Sequence, residues 1–130
     1  MTPPTLPRFA SPDLLQALDG MDGDALDALD FGVIHFDADG IVQRYNHYER
    51  AYTGLRLETV LGRHVFTHVA QCMNNFMVAE RFAEARAQAR ALDETIDYVL
   101  TWRMKPTPVR LRMLQGARAN DAYVVVQRID

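Results

Sequence analysis

The hydrophobic period of this chain changes twice along its length, and that change limits the possible folds more than any other feature. In the first segment, Leu14, Leu15, Leu18 and Met21 recur at helical spacing. Ser11-Pro12-Asp13 reads as a helix start, with Ser11 as N-cap and Pro12 at the first helical position. A second short helix is predicted over Asp22 to Leu29, with Leu26 and Leu29 facing inward. Helices this short are marginal alone, so both are expected to pack as a cap on a larger body. Ahead of them, Pro3, Pro4 and Pro7 mark residues 1–10 as a loose arm.

From Phe31 the period shortens. Phe31 to Phe36 is strand-like, Asp37-Ala38-Asp39-Gly40 is a turn, and Ile41 to Arg44 returns as a second strand. Asn46 can cap a helix running through Glu49 to Thr53, which Gly54 ends. A brief helical turn is predicted over Leu57 to Leu61. Asn74 or Asn75 precedes the longest predicted helix, from Phe76 to Leu92, with Phe76, Val78, Phe82, Ala85 and Ala89 as its buried side.

The period then returns to two. Strands are predicted over Glu94–Met104, Val109–Gln115 and Tyr123–Ile129, and in the middle one Arg110 and Arg112 alternate with Val109, Leu111 and Met113, as in a half-buried strand. The order predicts an α+β fold: a five-stranded antiparallel sheet with flanking helices and an N-terminal helical cap. At 130 residues the chain suits one domain, with an arm and cap over 1–28 and a core over 29–130.

Charge and cysteine content narrow the function. With 14 basic against 17 acidic residues the net charge is −3, which offers no footprint for nucleic acid or an anionic membrane. No apolar run approaches the roughly 18 residues needed to span a bilayer, and the first residues lack a signal-peptide pattern. The single cysteine, Cys72, cannot form an internal disulfide. A cytoplasmic protein is expected.

Tyr45, Glu49 and Thr53 fall at i, i+4 and i+8, on about one face of the predicted helix. A phenol, a carboxyl and a hydroxyl in line can converge on one buried partner, although such a triple is more often a solvated polar stripe. Cys72 sits in the apolar run Val69-Ala70-Gln71-Cys72-Met73, where free cysteine usually serves as a small hydrophobe. As a nucleophile it would need a base, and no family-type motif joins it to His35, His47, His64 or His68. No Cys or His pair has a zinc spacing. Spacing alone leaves these readings open.

The motifs taken in order are more specific. Phe31-Gly32-x-Ile34, Asp37-x-Asp39-Gly40, Tyr45-Asn46-x-x-Glu49, Thr53-Gly54, Val69-Ala70-x-Cys72 and Met104-x-Pro106-Thr107 resemble the photoactive yellow protein family of small blue-light receptors, built on the PAS fold. The resemblance runs from about Leu14 to the C-terminus. It implies p-coumaric acid (4-hydroxycinnamic acid) joined to Cys72 as a thioester. Tyr45 and Glu49 match the residues that hydrogen-bond its phenolate oxygen, Thr53 the hydroxyl that supports Tyr45, and Met104 a loop residue that influences dark recovery. Phe66, Val69, Ala70, Ile34 and Leu55 are implied as further chromophore neighbours.

Leu55 stands where better-known members carry an arginine, Gln71 where they carry a proline, and Leu100 and Trp102 where other aromatic residues are common. These departures bear on colour and recovery rate, not on the attachment residue. The family implies a non-enzymatic sensor, monomeric or weakly dimeric, that signals to a separate and unidentified downstream protein. Two other readings remain: a PAS ligand-binding or interaction module without photochemistry, and a cysteine enzyme, for which no motif supplies a base or an oxyanion hole.

Overall fold

The computed structural model describes residues 6–101, 105–117 and 121–129. Its centre is a five-stranded antiparallel sheet of β1 (Gly32–Phe36), β2 (Val42–Tyr45), β3 (Leu92–Leu100), β4 (Thr107–Gln115) and β5 (Ala122–Arg128), in the order β2-β1-β5-β4-β3. The last strand of the chain thus lies in the middle, with Ile34 opposite Val124 on one side and Leu111 opposite Val126 on the other.

Side chains alternate across a strand, so β5 builds two cores at once. Val124 and Val126 face one way, with Ile34, Phe36, Val109, Leu111 and Met113, and are covered by the helical segments between β2 and β3. Those segments are α3 (His47–Thr53), α4 (Leu57–Val60), a π-turn at Val65–Val69, a 3-10 turn at Gln71–Met73 and α5 (Ala79–Ala87). Tyr123 and Val125 face the other way, with Phe31, Val33 and Leu114, under α1 (Leu14–Asp19) and α2 (Gly23–Asp27).

Four expectations are corrected by this arrangement. Because the cap covers the second face, β4 is not half-buried along its length: from Leu111 onward every residue is buried, Arg112 included. The cap also recruits the arm. Phe9 is buried edge-on to Phe31, and Arg112 donates from Nη1 to the carbonyls of Phe9 (2.8 Å) and Ser11 (2.7 Å) while its fork holds both oxygens of Asp93.

Ser11 does not cap α1. Its hydroxyl accepts from Arg8 N, closing a turn, and the helix starts after Asp13. The long helix is shorter than its composition predicts. Asn75 Oδ1 accepts from Met77 and Val78 N, which holds 75–78 in a turn and leaves Phe76 72% exposed. At the other end Ala89 turns to φ 49° and Arg90 N closes on Ala85 O, so the chain leaves the helix and enters β3 at Leu92. The predicted end of that strand at Met104 lies outside the described residues.

A polar cluster fastens the cap to the sheet. Arg44 donates to the carbonyls of Met21 and Leu18, to Tyr123 Oη (2.8 Å) and, through Nε, to His35 Nδ1 (3.0 Å). Tyr123 in turn donates to Asp19 (2.6 Å), and its ring stacks on His35. Because Arg44 is a donor, His35 Nδ1 must be bare and the imidazole neutral. His35 Nε2 lies 3.1 Å from Asp121, within ion-pair range but out of line for a hydrogen bond.

Burial and the Arg44 charge hold the His35 pKa below the ordinary 6.5, against a smaller upward pull from Asp121. The unfolded chain therefore takes up this proton first, and the stability it carries is lost as pH falls below about 6.5. We expect the melting temperature of His35→Gln to lose less than wild type between pH 7.5 and 5.5. Parallel curves for the two proteins would show that His35 is not the titrating contact.

Candidate functional site

Tyr45 ends β2 and Asn46 begins the turn into α3, so sheet and helix meet at two adjacent residues. Asn46 is buried and uses its whole amide. Oδ1 accepts from Val33 N (2.9 Å) and Glu49 N (3.4 Å), while Nδ2 donates to Leu26 O (2.9 Å) and Phe31 O (3.0 Å). One side chain thus caps α3, holds β1 and grips α2 of the cap. Gly54 closes the helix at φ 74°, where its N–H reaches Arg50 O, a conformation that favours glycine.

Glu49 and Thr53 are the buried residues of α3. Thr53 Oγ1 donates to Glu49 O (2.9 Å) and accepts from Leu55 N (3.3 Å). Its one proton is thereby used, so in the 2.9 Å contact with Tyr45 Oη the phenol is the donor. Burial drives the Tyr45 pKa well above 10.0, and the Glu49 charge adds to it.

The Glu49 carboxyl is 3% exposed. It lies directly over Gly32 on β1, where a Cβ would come within 2.0 Å of Oε1. Burial raises its pKa above the ordinary 4.5, and Arg128 opposes the shift by its charge and by an Nη1 hydrogen bond to Oε1 at 3.0 Å. The Arg128 guanidinium is stacked on Tyr52, 3.7 Å from the ring centroid, with Tyr48 beyond at 5.3 Å.

Cys72 sits in the 3-10 turn across the same core, half-buried. Its carbonyl accepts from Tyr98 Oη (2.5 Å) and Asn75 Nδ2 (3.3 Å), and Asn75 Nδ2 also donates to Tyr98 Oη (2.6 Å). The thiol's main chain is therefore pinned to β3. Burial raises the thiol pKa above the ordinary 9.0, main-chain hydrogen bonds at Thr101 and Cys72 itself oppose this, and the Glu49 charge adds a smaller upward push. On its outer side Cys72 borders an open cleft of about 440 Å³ with His68, Val69, Gln71 and Thr101.

Tyr45, Ile34, Phe66, Val69 and Ala70 belong to one buried cluster, with Leu55 and Cys72 packed against it. Tyr45, Glu49 and Thr53 do share a face, and that face is buried rather than solvated. Met104 lies outside the described residues. Among those residues no group of three His, Cys, Asp or Glu side chains is placed to hold a metal. Among the described residues no hydrogen bond joins His68 to the Cys72 thiol; His68 Nδ1 is 2.9 Å from Thr67 Oγ1.

Arg128 and Tyr98 escape motif reading, yet each carries a signal. Arg128 continues the inward stripe Val124, Val126, and Tyr98 the stripe Leu92, Ile96, so both are polar groups in register with a core face. Gly32 lies inside a quoted motif, but its purpose depends on the Glu49 rotamer.

Gly32→Ala should displace the Glu49 carboxyl and destabilise the fold by about 1–3 kcal/mol. In Glu49→Ala, which removes the obstructing atoms, the same change should cost much less. Equal costs in the two backgrounds, measured by denaturant titration, would rule out the steric link.

No family model matches the chain. It is 33% identical over 122 residues to photoactive yellow protein of Halochromatium salexigens, covering 94% of this chain and 97% of the relative. The crystal structure of the photoactive yellow protein domain from the sensor histidine kinase Ppr of Rhodospirillum centenum matches with a TM-score of 0.78 and 33% identity, over 86% of this chain and 97% of that one. A PAS domain of an HTR-like protein from Haloarcula marismortui matches with a TM-score of 0.56 at 16% identity, over 80% of this chain and 90% of that one; this likeness concerns the fold alone. With the PAS-type sheet and a relative this similar over nearly its whole length, the chain belongs to the photoactive yellow protein family.

Proposed function

We propose that the chain is a blue-light photoreceptor carrying p-coumaric acid as a thioester on Cys72. The observation that carries this reading is a buried phenol and the lone thiol on one apolar cluster, with a buried acid on the helix that follows the phenol. A residual PAS module without such a ligand would have little reason to bury Glu49 and Tyr45 there, since each must be desolvated.

Attachment requires an activated acyl donor. The Cys72 sulfur forms a bond to the p-coumaroyl carbon, the bond from that carbon to the donor's leaving group breaks, and the thiol proton departs with that group. A thiol held protonated by burial suits a stable anchor better than a turnover nucleophile. The sensor is accordingly read as non-enzymatic. When bound, p-coumarate supplies the photochemistry: it absorbs blue light and rotates its ethylene bond from trans to cis.

The chain's own residues set the charge balance. Burial favours the protonated form of Glu49, the form that can donate to a phenolate oxygen. Tyr45 is the second donor. To serve it must turn its proton away from Thr53, and Thr53 must release Glu49 O and donate to Tyr45 instead. Glu49 then holds the proton that moves after illumination. Its loss leaves a buried carboxylate, whose desolvation must be offset by neighbouring charge or relieved by movement of α3.

The cap is placed to respond. Asn46 bonds Glu49 N and Leu26 O with the same amide, so strain at the start of α3 reaches α2 directly. With α1 and α2 only 6 and 5 residues long, these helices depend on packing against the sheet rather than on their own propensity. Their partial release would signal to a separate downstream protein. Among the described residues no helix is long and apolar enough to cross a membrane. A cytoplasmic monomer or weak dimer, without nucleic-acid or membrane partners, completes the reading.

Mixing the apoprotein with activated p-coumaric acid should give a visible band well to the red of the free acid that bleaches in blue light and recovers in the dark. Cys72→Ala should give none. Glu49→Gln should bind, absorb at longer wavelength and lack the protonated-carboxyl infrared change on illumination. A wild-type protein that forms no pigment would instead support a ligand-binding or interaction module without photochemistry.

A further inference from the structure

We propose that Arg128 is the counter-charge of Glu49, the guanidinium that receives the carboxylate whenever Glu49 loses its proton. The inference rests on the photoreceptor reading only for the light-driven part; the pairing itself stands in the chain without a chromophore.

Four observations place Arg128 in this role. Its Nη1 lies 3.0 Å from Glu49 Oε1, and both side chains are buried, at 7% and 3% exposure. The two residues come from distant parts of the chain, the end of the central strand β5 and the first turns of α3, so no local propensity explains their meeting. Tyr52 and Tyr48, also on α3, lie against the guanidinium, and Tyr48 Oη accepts from Arg128 N at 3.4 Å. Beyond it an open cleft of about 390 Å³, lined by Tyr52, Leu100, Lys105 and Pro106 among others, leaves room for the side chain to withdraw along the Tyr52 face.

The consequence follows from where charge resides. While a phenolate accepts from neutral Glu49, the negative charge lies on the phenolate and not on the carboxyl that Arg128 contacts. Transfer of the proton moves that charge onto Glu49, into hydrogen-bond range of Arg128, where low dielectric strengthens the attraction. Arg128 therefore favours the transferred state and delays return of the proton. It is a positioning residue, because it acts through Glu49.

Other ionisable groups around Glu49 do not confound a titration. Tyr45 and Cys72 are both pushed up by burial and stay neutral at pH 7. Arg50 is engaged by Asp27 and Tyr45 O, and Lys105 lies at the cleft.

In the chromophore-free protein, the Glu49 carboxyl resonance, followed by carbon-13 NMR and assigned by its loss in Glu49→Gln, should titrate about one pH unit higher in Arg128→Gln. Arg128→Lys should lie between the two. In the pigmented protein, Arg128→Gln should recover in the dark about tenfold faster than wild type, the equivalent of that shift. A Glu49 midpoint that does not move in Arg128→Gln, with the amide fingerprint of the fold intact, overturns the pairing. A midpoint that moves while recovery keeps the wild-type rate overturns the role in delaying proton return. If wild type forms no pigment, the photoreceptor reading and the light-driven role fall together, and the NMR titration alone decides the pairing.

Discussion

A carboxyl group sealed beneath a helix and above a glycine is the constraint from which the rest of this structure follows. Glu49 occupies the space that any Cβ at Gly32 would need, so β1 and α3 approach closely only because one residue lacks a side chain and the other fills the gap. Burying an acid there raises its pKa, and the surrounding groups determine which protonation state is tolerable. Thr53 and Tyr45 offer hydroxyls that can reverse their donor directions, whereas Arg128 offers only donors and a fixed positive charge. The site is therefore built to accept either a neutral acid with an anionic neighbour or a carboxylate with a cationic one.

The same region is connected to the cap through directional hydrogen bonds as well as apolar contact. Asn46 reaches Leu26 O, Arg44 reaches Leu18 O and Met21 O, and Arg112 reaches Phe9 O and Ser11 O. In each case a side chain from the sheet or its edge donates to carbonyls of the short cap helices or of the non-helical residues beside them. Such contacts are directional and are lost within a small displacement, unlike the diffuse packing of Leu14, Leu18 and Leu26. A cap held in this way can leave cooperatively while its apolar face tolerates small shifts.

Much of this was legible in the sequence, for identifiable physical reasons. The shift from helical spacing to alternation at Phe31, and back to alternation after the alanine-rich segment, is a property of burial and survives folding. The Asn46 cap and the Gly54 stop are local chemistry, and both stand where the residues place them. The failures have a different origin. Nothing local shows that a cap will cover Arg112, or that Asn75 will hold Met77 and Val78 in a turn before α5 starts. Arg128 was legible as a charge in an inward stripe, but its partner lies 79 positions away and no spacing rule connects them.

Leu55, where the family resemblance implies an arginine, packs against the core, and the adjacent Arg56 is exposed. The loop after α3 donates Leu55 N to Thr53. The positive charge within hydrogen-bond reach of the acid comes from the end of β5, held against Tyr52 of the helix that carries Glu49. A guanidinium on the central strand is tied to the sheet, whereas one on a loop can swing into solvent. The proposed pairing makes the balance between neutral and ionised Glu49 depend on how α3 sits against β5.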